Sequence, residues 1–411
     1  MEKHRFDYFA SCPTGLEELL AQEIRLQGAK DLGLTRGGVA FSSEDNMLCL
    51  KVLLNSRTAS RVFKLLYSFE CHSEKAMYQE LADIKWKSLL ELTQTFKITT
   101  IFGKLPHDRR VFTNSQFVTL KAKDAIVDWF KHHTNQRPSI DKEHPDVSYL
   151  LRVDDAGEGL FKVQLLLDLS GAPLSNRGYR HFFVEAPARE NLAAGILMML
   201  NWDARKEGLL DGMCGSGTFL VEGALIAGGV SPQYLKLREF KEGRRAWAFL
   251  SSQWYTKDKY IQDGFAKLAD ETIARDQQGF AALRARKLLL QGYDRDNKAV
   301  QSARENVSIA GLSDLISIEK RDALTLSAPA SPVLFVCNPP YGERLLAGED
   351  EYLKGLYHGL GELWKKEFKG SRAALLTGTL PLLKSIGLRT SKRLIVMNGD
   401  IECRVAEYQL F

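Results

Sequence analysis

Five short apolar runs constrain what the second half of this chain can fold into. Leu209–Leu210, Leu288–Tyr293, Leu315–Glu319, Val333–Cys337 and Ala373–Thr377 are separated by stretches with helical spacing. Strands that alternate with helices lie parallel, because each crossover helix returns the chain to the same edge of the sheet. The pattern predicts a doubly wound α/β sheet from about Arg177 onward. Near the end, the segment Arg393–Ala406 holds two apolar runs around Asn398-Gly399, a hairpin signal. The sheet should therefore close with an antiparallel strand.

The residues that follow these runs share a chemistry. The first run ends in Asp211-Gly212-Met213-Cys214-Gly215-Ser216-Gly217-Thr218. Its glycines allow a tight turn and a close approach of backbone to a ligand. On its own, the turn reads more readily as a plain strand-to-helix connection than as a ligand loop. No lysine follows the last glycine, so it is not a nucleotide-hydrolase phosphate loop. The second run leads into Asp294-Arg295-Asp296. A carboxylate there can accept from both ribose hydroxyls of a nucleoside cofactor, or it can cap the helix that follows. The division adopted is Asp296 as the cap and Asp294 as the ribose ligand. Asp322-Ala323 follows the third run, where an aspartate could accept from an adenine amino group or pair with Arg321.

The fourth run passes straight into Asn338-Pro339-Pro340-Tyr341. Two prolines fix two φ angles and remove two backbone donors. An exocyclic base amine is a poor nucleophile because its lone pair is conjugated with the ring. An asparagine oxygen and a backbone carbonyl that accept its two N–H groups turn that lone pair outward, and Tyr341 can stack on the base. A rigid strand-to-loop turn is the plain alternative.

Two further regions precede this one. Residues 1–65 read as a small α+β unit, with strands at Phe6–Ala10 and Gly37–Phe41 and helices at Leu16–Ile24 and about Asp45–Leu54. Residues 66–170 carry strands at Phe96–Ile101 and Leu160–Leu167 and a helix at Ser115–Phe130. That helix should bury Phe117, Leu120, Ile126, Val127 and Phe130 and turn its lysines outward. Between the glycine turn and Asp294, about residues 231–288, Trp247, Trp254, Tyr255 and Tyr260 are interleaved with Lys241, Arg244 and Arg245. Such a stripe can stack on unpaired bases, but the core of a helical insertion is the reading preferred.

Composition narrows the class. A net charge of +5, from 56 basic and 51 acidic residues, permits a nucleic-acid partner without arguing for one. The six cysteines are widely spaced and form no C-x-x-C pair, which suggests core thiols rather than a disulfide framework or zinc site. His132-His133 lacks an evident third ligand and reads as a solvated helix end, so no metal is expected. No run is apolar and long enough for a membrane helix and the N-terminus is not a secretory signal, so a cytoplasmic location with no membrane partner is expected.

In this order, Asp-x-x-Cys-Gly-Ser-Gly-Thr, Gly-Tyr-Asp, Arg-Asp-Ala and Asn-Pro-Pro-Tyr-Gly resemble class I amino-methyltransferases. Asp168-Leu-Ser-Gly171, Arg177-Gly-Tyr-Arg180, Ala186–Ala194, Asn114–Phe117 and Lys123–Asp128 further resemble the THUMP-domain methyltransferases that modify guanine N2 in 23S ribosomal RNA. Some proteins of this type are described as N6-adenine-specific DNA methylases. The resemblance implies a Rossmann-like methyltransferase domain over residues 171–411, preceded by a ferredoxin-like domain (1–65) and a THUMP domain (66–170). It implies S-adenosylmethionine held by Pro187, Ala188, Arg189, Asn191, Asp211, Met213, Gly215, Ser216, Asp294, Arg295, Asp322, Ala323 and Asn338. It also implies RNA contacts at Arg109, Arg110, Lys123, Arg177 and Arg180, with 23S rRNA or a large-subunit precursor as partner. Methylation of adenine N6 in DNA or guanine N2 in tRNA is the alternative, and a non-catalytic ribosome-assembly factor is the alternative of another class. The chain departs from the family at Gly212, usually proline, and at Ser175-Asn176, often a histidine and a basic residue. Some relatives also carry a second methyltransferase domain.

Overall fold

The structure is a computed structural model that describes residues 5–105, 111–182, 188–340 and 349–411. Its N-terminal part runs β1 (Phe6–Ser11), α1 (Glu17–Leu26), β2 (Asp31–Thr35), β3 (Gly38–Ser43), α2 (Leu48–Asn55) and β4 (Arg61–Cys71). It continues through α3 (Glu74–Ala82), β5 (Phe96–Phe102), α4 (Ser115–Thr134), β6 (Val147–Gly157) and β7 (Leu160–Asp168). All seven strands join one sheet, in the order β2-β3-β1-β4-β7-β6-β5. Strand β4 carries the sheet across residues 65 and 66, where the sequence suggested a boundary, and pairs with β1 on one side and β7 on the other.

The sequence reading did not assign β2, β4 or β6. Each mixes charged, glycine or polar positions into its run, and its partners supply the order. Helix α4 also differs from expectation. Asn114 caps it by accepting from the Gln116 and Phe117 amides. The buried stripe is Val118, Ala122, Ala125, Ile126 and Phe130, while Phe117 and Leu120 are exposed. The two alanines carry the close packing that larger side chains were expected to provide.

The second part begins with α5 (Glu190–Met199), β8 (Gly208–Asp211), α6 (Thr218–Ala227), α7 (Tyr234–Lys241), α8 (Gln253–Thr256) and α9 (Lys259–Ala285). Then come β9 (Leu290–Asp294), α10 (Asn297–Ile309), β10 (Ser317–Lys320), β11 (Val333–Cys337), α11 (Glu349–Glu367), β12 (Arg372–Thr377), β13 (Lys392–Asn398) and β14 (Ile401–Gln409). The strand order is β10-β9-β8-β11-β12-β14-β13. Its first five strands are parallel, and β14 joins β12 antiparallel after the Asn398-Gly399 turn. The parallel strands are short and apolar because helices cover both of their faces; β11 is buried along its whole length.

Buried hydrogen bonds join the two parts. Arg57 donates to the carbonyls of Leu225 (3.0 Å) and Val230 (2.7 Å), and Ser231 donates to Leu54 (2.6 Å). At the sheet edge the Met397 amide donates to the Thr14 carbonyl at 3.1 Å. Gly15 allows this approach: its φ is +98°, and a Cβ there would lie 2.3 Å from the Ile395 oxygen. The insertion's Trp247, Phe249 and Phe265 pack ring against ring in the core, whereas Tyr260 is exposed and Trp254 is half-buried. All six cysteines are buried.

Candidate active site

In a parallel sheet every strand delivers its carboxyl end to the same edge, so residues far apart in sequence meet there. The ends of β8, β9, β10 and β11 are tied by backbone bonds. Gly212 donates to Val336 (3.1 Å), Cys214 to Tyr293 (2.9 Å) and Arg321 to Asp294 (3.0 Å). Asp211, Asp294, Asp322 and Asn338 therefore terminate neighbouring strands or follow them closely.

The glycine turn is held in shape by the carboxylates around it. Asp294 accepts from the Gly215 amide at 3.0 Å with one oxygen and from the Asp296 amide at 2.9 Å with the other. Asp296 caps α10 by accepting from Lys298. Gly215 and Gly217 have φ of +51° and +81°, values that side chains tolerate poorly. Gly212 serves packing instead: a Cβ there would fall 2.4 Å from the Phe335 ring. The departure from proline thus makes room for a large aromatic on β11. Met213 is half-buried, and its amide donates to Asp211 at 3.1 Å. Ser216 is buried, and its hydroxyl pairs with Thr218.

Asp211 is buried, and desolvation with the nearby Asp294 charge pushes its carboxyl up to about 8. A neutral carboxyl at this position can donate as well as accept. Asp322 is exposed and accepts from Leu324 with one oxygen, and Ala323 is buried. Arg295 is exposed; its guanidinium lies 5.2 Å from the Tyr352 ring centre and donates to the Tyr352 hydroxyl.

Asn338 is half-buried, yet its side-chain oxygen is fully shielded and has no hydrogen-bond partner among the described residues. Pro339 is buried and Pro340 exposed. A shielded acceptor without a donor is costly and calls for an explanation; Asn55, Asn191 and Gln233 carry such an oxygen as well. Tyr341 and Pro187, like Arg109 and Arg110, lie outside the described residues.

Other expectations are redistributed. Ala188 is buried and Arg189 exposed at the start of α5. Asn191 is buried, and its amide donates to Thr58 (3.3 Å) and Ser60 (3.0 Å), so its donor binds the N-terminal part. Arg177, expected at an RNA surface, is fully buried. It donates to Leu174 and Arg57 carbonyls and faces Glu222 at 3.5 Å. Arg180 likewise turns inward, to Glu190 (3.1 Å) and the Ala188 carbonyl (3.0 Å). Both arginines serve the interior because buried carboxylates on α5 and α6 need cationic partners. Lys123 pairs with its neighbour Asp124 at 2.6 Å.

The sequence reading passed over Asn306. This buried side chain on α10 accepts from the amides of His181 (3.1 Å) and Phe182 (3.2 Å). It donates to the carbonyls of Phe182 (3.0 Å) and Ser216 (3.1 Å). It thereby joins the glycine turn to the segment before α5. Its only sequence signal is an amide one turn from the buried Ser302 and Ala303 of that helix.

Three families match successive parts of the chain. Residues 7–63 match the RlmL ferredoxin-like domain, 71–158 the THUMP domain, and 177–407 the RMKL-like methyltransferase domain. The chain is 36% identical over 410 residues to a ribosomal RNA large subunit methyltransferase K/L of Syntrophotalea carbinolica, covering 98% of this chain and 53% of that protein. It therefore spans about half the length of that curated relative. A possible methylase from Clostridium difficile 630 has a similar solved structure, with TM-score 0.80, 27% identity and 99% of each chain covered. SMU.472, solved in complex with SAH, shares the fold at TM-score 0.78 and 24% identity, covering 100% of this chain and 99% of that one.

Proposed function

The chain belongs to the RMKL-like methyltransferase family, and from that premise we propose that it methylates an exocyclic amine of an RNA base, with S-adenosylmethionine as donor and guanine N2 of large-subunit ribosomal RNA as target. The observation that carries this reading is the unpaired, shielded oxygen of Asn338 at the end of β11, beside the glycine turn. Such an acceptor would be satisfied by a substrate N–H once the groups that shield it move aside.

The residues present also fit the cofactor. The turn has two glycines at positive φ, and Asp294 fixes it while each carboxylate oxygen keeps a further lone pair for hydroxyls. Gly215, Ser216 and Met213 would line the cradle with Asp211. Asp294 and Arg295 would flank the ribose, and Asp322 with Ala323 the adenine. Ala188 and Arg189 at the start of α5 would meet the methionine end. When bound, the cofactor supplies a methyl group made electrophilic by a sulfonium.

The chain's own contribution is alignment and hydrogen bonding. The target base leaves its stack, at a cost of a few kcal/mol. Asn338 accepts a hydrogen bond from one amine N–H and holds the nitrogen lone pair out of conjugation, and the proton the amine sheds on methylation passes to water. Pro339 and Pro340 keep the asparagine from following the base, so the geometry is set before the substrate arrives. No step needs a metal.

The test is incubation of the protein and labelled cofactor with separate pools of unmodified 23S rRNA, tRNA and DNA, followed by nucleoside mass spectrometry. The expected product is N2-methylguanosine in the 23S pool alone. N6-methyladenine in DNA, or label confined to tRNA, would replace the target. RNA binding without label in any pool would leave a non-catalytic assembly factor.

A further inference from the structure

The structure holds a concavity that shares no residue with the candidate active site. It is a cleft of about 610 Å³ between the N-terminal sheet and the insertion. Its wall on one side is Leu66 of β4, Tyr149 of β6 and Leu167 of β7; opposite stand Gln253 and Trp254 of α8. Lys85, Lys87 and Lys257 stand at it as well.

The cleft is prebuilt. Gln253 donates across it to the Lys87 carbonyl at 3.0 Å, and Gln94 donates to the Ser251 carbonyl at 2.6 Å. Arg245 reaches the Pro145 and Asp146 carbonyls, each at 2.8 Å. The Trp254 ring is fixed edge-on against Phe249, with centroids 6.3 Å apart, and by the Lys64 ammonium 5.5 Å from its centre. Tyr149 is held by a 2.9 Å bond from its hydroxyl to the Leu89 carbonyl.

Its charges are unequal in availability. Lys257 is committed to Glu91 at 3.1 Å and to Gln253 at 2.8 Å. Lys85 and Lys87 are exposed and have no carboxylate partner among the described residues. An apolar, aromatic floor beside two free cations is complementary to a flat apolar ring that carries an anion. The volume suits one such group. Duplex RNA offers no bare ring, because its bases are stacked and paired.

From this complementarity we infer that the cleft takes an unpaired nucleotide of the RNA, its base against Trp254 and its phosphates at Lys85 and Lys87. The inference rests on the proposed RNA substrate and adds a second grip on it. The grip spans two parts of the molecule, so it reads their relative placement as well as the strand.

The test is binding of a labelled eight-nucleotide single-stranded RNA and of a blunt RNA duplex to the full chain. K85E/K87E should lose at least about tenfold in affinity for the single strand. The salt dependence should flatten by about 1.4 in log–log slope, at about 0.7 per phosphate contact. K206E/K267E makes the same charge change outside the cleft and should lose far less. Trp254→Ala should weaken single-strand binding about 5- to 150-fold, the range for loss of one stacked base. Since that variant could misfold, the lysine pair is the deciding one, with melting temperature and cofactor affinity as its folding controls. Wild-type binding by K85E/K87E, losses equal to those of K206E/K267E, or displacement of the strand by an acidic peptide but not by other RNA would overturn the inference. Methylation of rRNA by the wild type reports separately on the reaction. If it occurs while K85E/K87E binds normally, the cleft alone is wrong; if it fails while the lysines matter, the reaction alone is wrong.

Discussion

The N-terminal sheet and the C-terminal sheet each contain seven described strands, yet they assemble polar groups in different ways. The parallel strands of the C-terminal sheet bring Asp211, Asp294, Asp322 and Asn338 to one edge, each at or just after the end of its own strand. The N-terminal sheet is antiparallel except where β5 meets β6, and its strand ends point both ways. Its polar groups pair along or between strands, as Arg152 does with Asp154 and Arg61 with Asp168, and its cleft forms only where Lys85 and Lys87, between α3 and β5, come beside Trp254 of the insertion. A parallel sheet writes its site into local sequence, and an antiparallel one spreads it.

Arg177 tests that contrast most severely, since its sequence setting suggested a surface role and its position is interior. Arg177→Ala would leave Glu222 buried without its guanidinium partner, a loss of about 3–5 kcal/mol for a broken buried pair. Denaturant unfolding should show it. A variant of unchanged stability with weakened RNA binding would return Arg177 to the surface role.

Asn338→Ala probes the catalytic edge. It should lower the single-turnover rate of methyl transfer about 100- to 1,000-fold, the range for loss of one preorganised polar group. Cofactor affinity should change little if, as proposed, the carboxylates hold that ligand. Wild-type turnover would remove Asn338 from the chemistry.

Asp211→Asn gives the most specific effect. The folded protein keeps a proton on Asp211 up to about pH 8, whereas the unfolded chain releases it near its ordinary value of 3.8. The folded state therefore binds more protons between those limits, and stability falls as pH rises. The contribution is complete below about pH 4 and gone above about pH 8. The asparagine variant should show a flatter melting temperature across that window; an unchanged slope would mean that Asp211 is ionised when folded.

The same contrast explains what was legible in the sequence. The runs ending at Asp211, Asp294 and Asn338 were readable because strand, turn and polar residue are contiguous. The Asn398-Gly399 hairpin was readable for the same reason. Strands β2, β4 and β6 were not, since neighbours rather than local alternation define them. Phe117 and Leu120 misled because α4 packs through Ala122 and Ala125, whose small size is a signal only when the facing element is known. Asn191 and Asn306 look alike in sequence. Each became interpretable only when its partners, Thr58 and Ser60 for one and Ser216 and Phe182 for the other, were seen.

The most direct measurement is a crystal structure with S-adenosylhomocysteine bound. The expected density lies over Gly212–Gly217, with the ribose hydroxyls on Asp294, the adenine near Asp322, and the Asn338 oxygen still without a donor from the protein, beside the sulfur. Ligand density away from residues 211–217, or an Asn338 oxygen already bonded within the protein, would contradict the account.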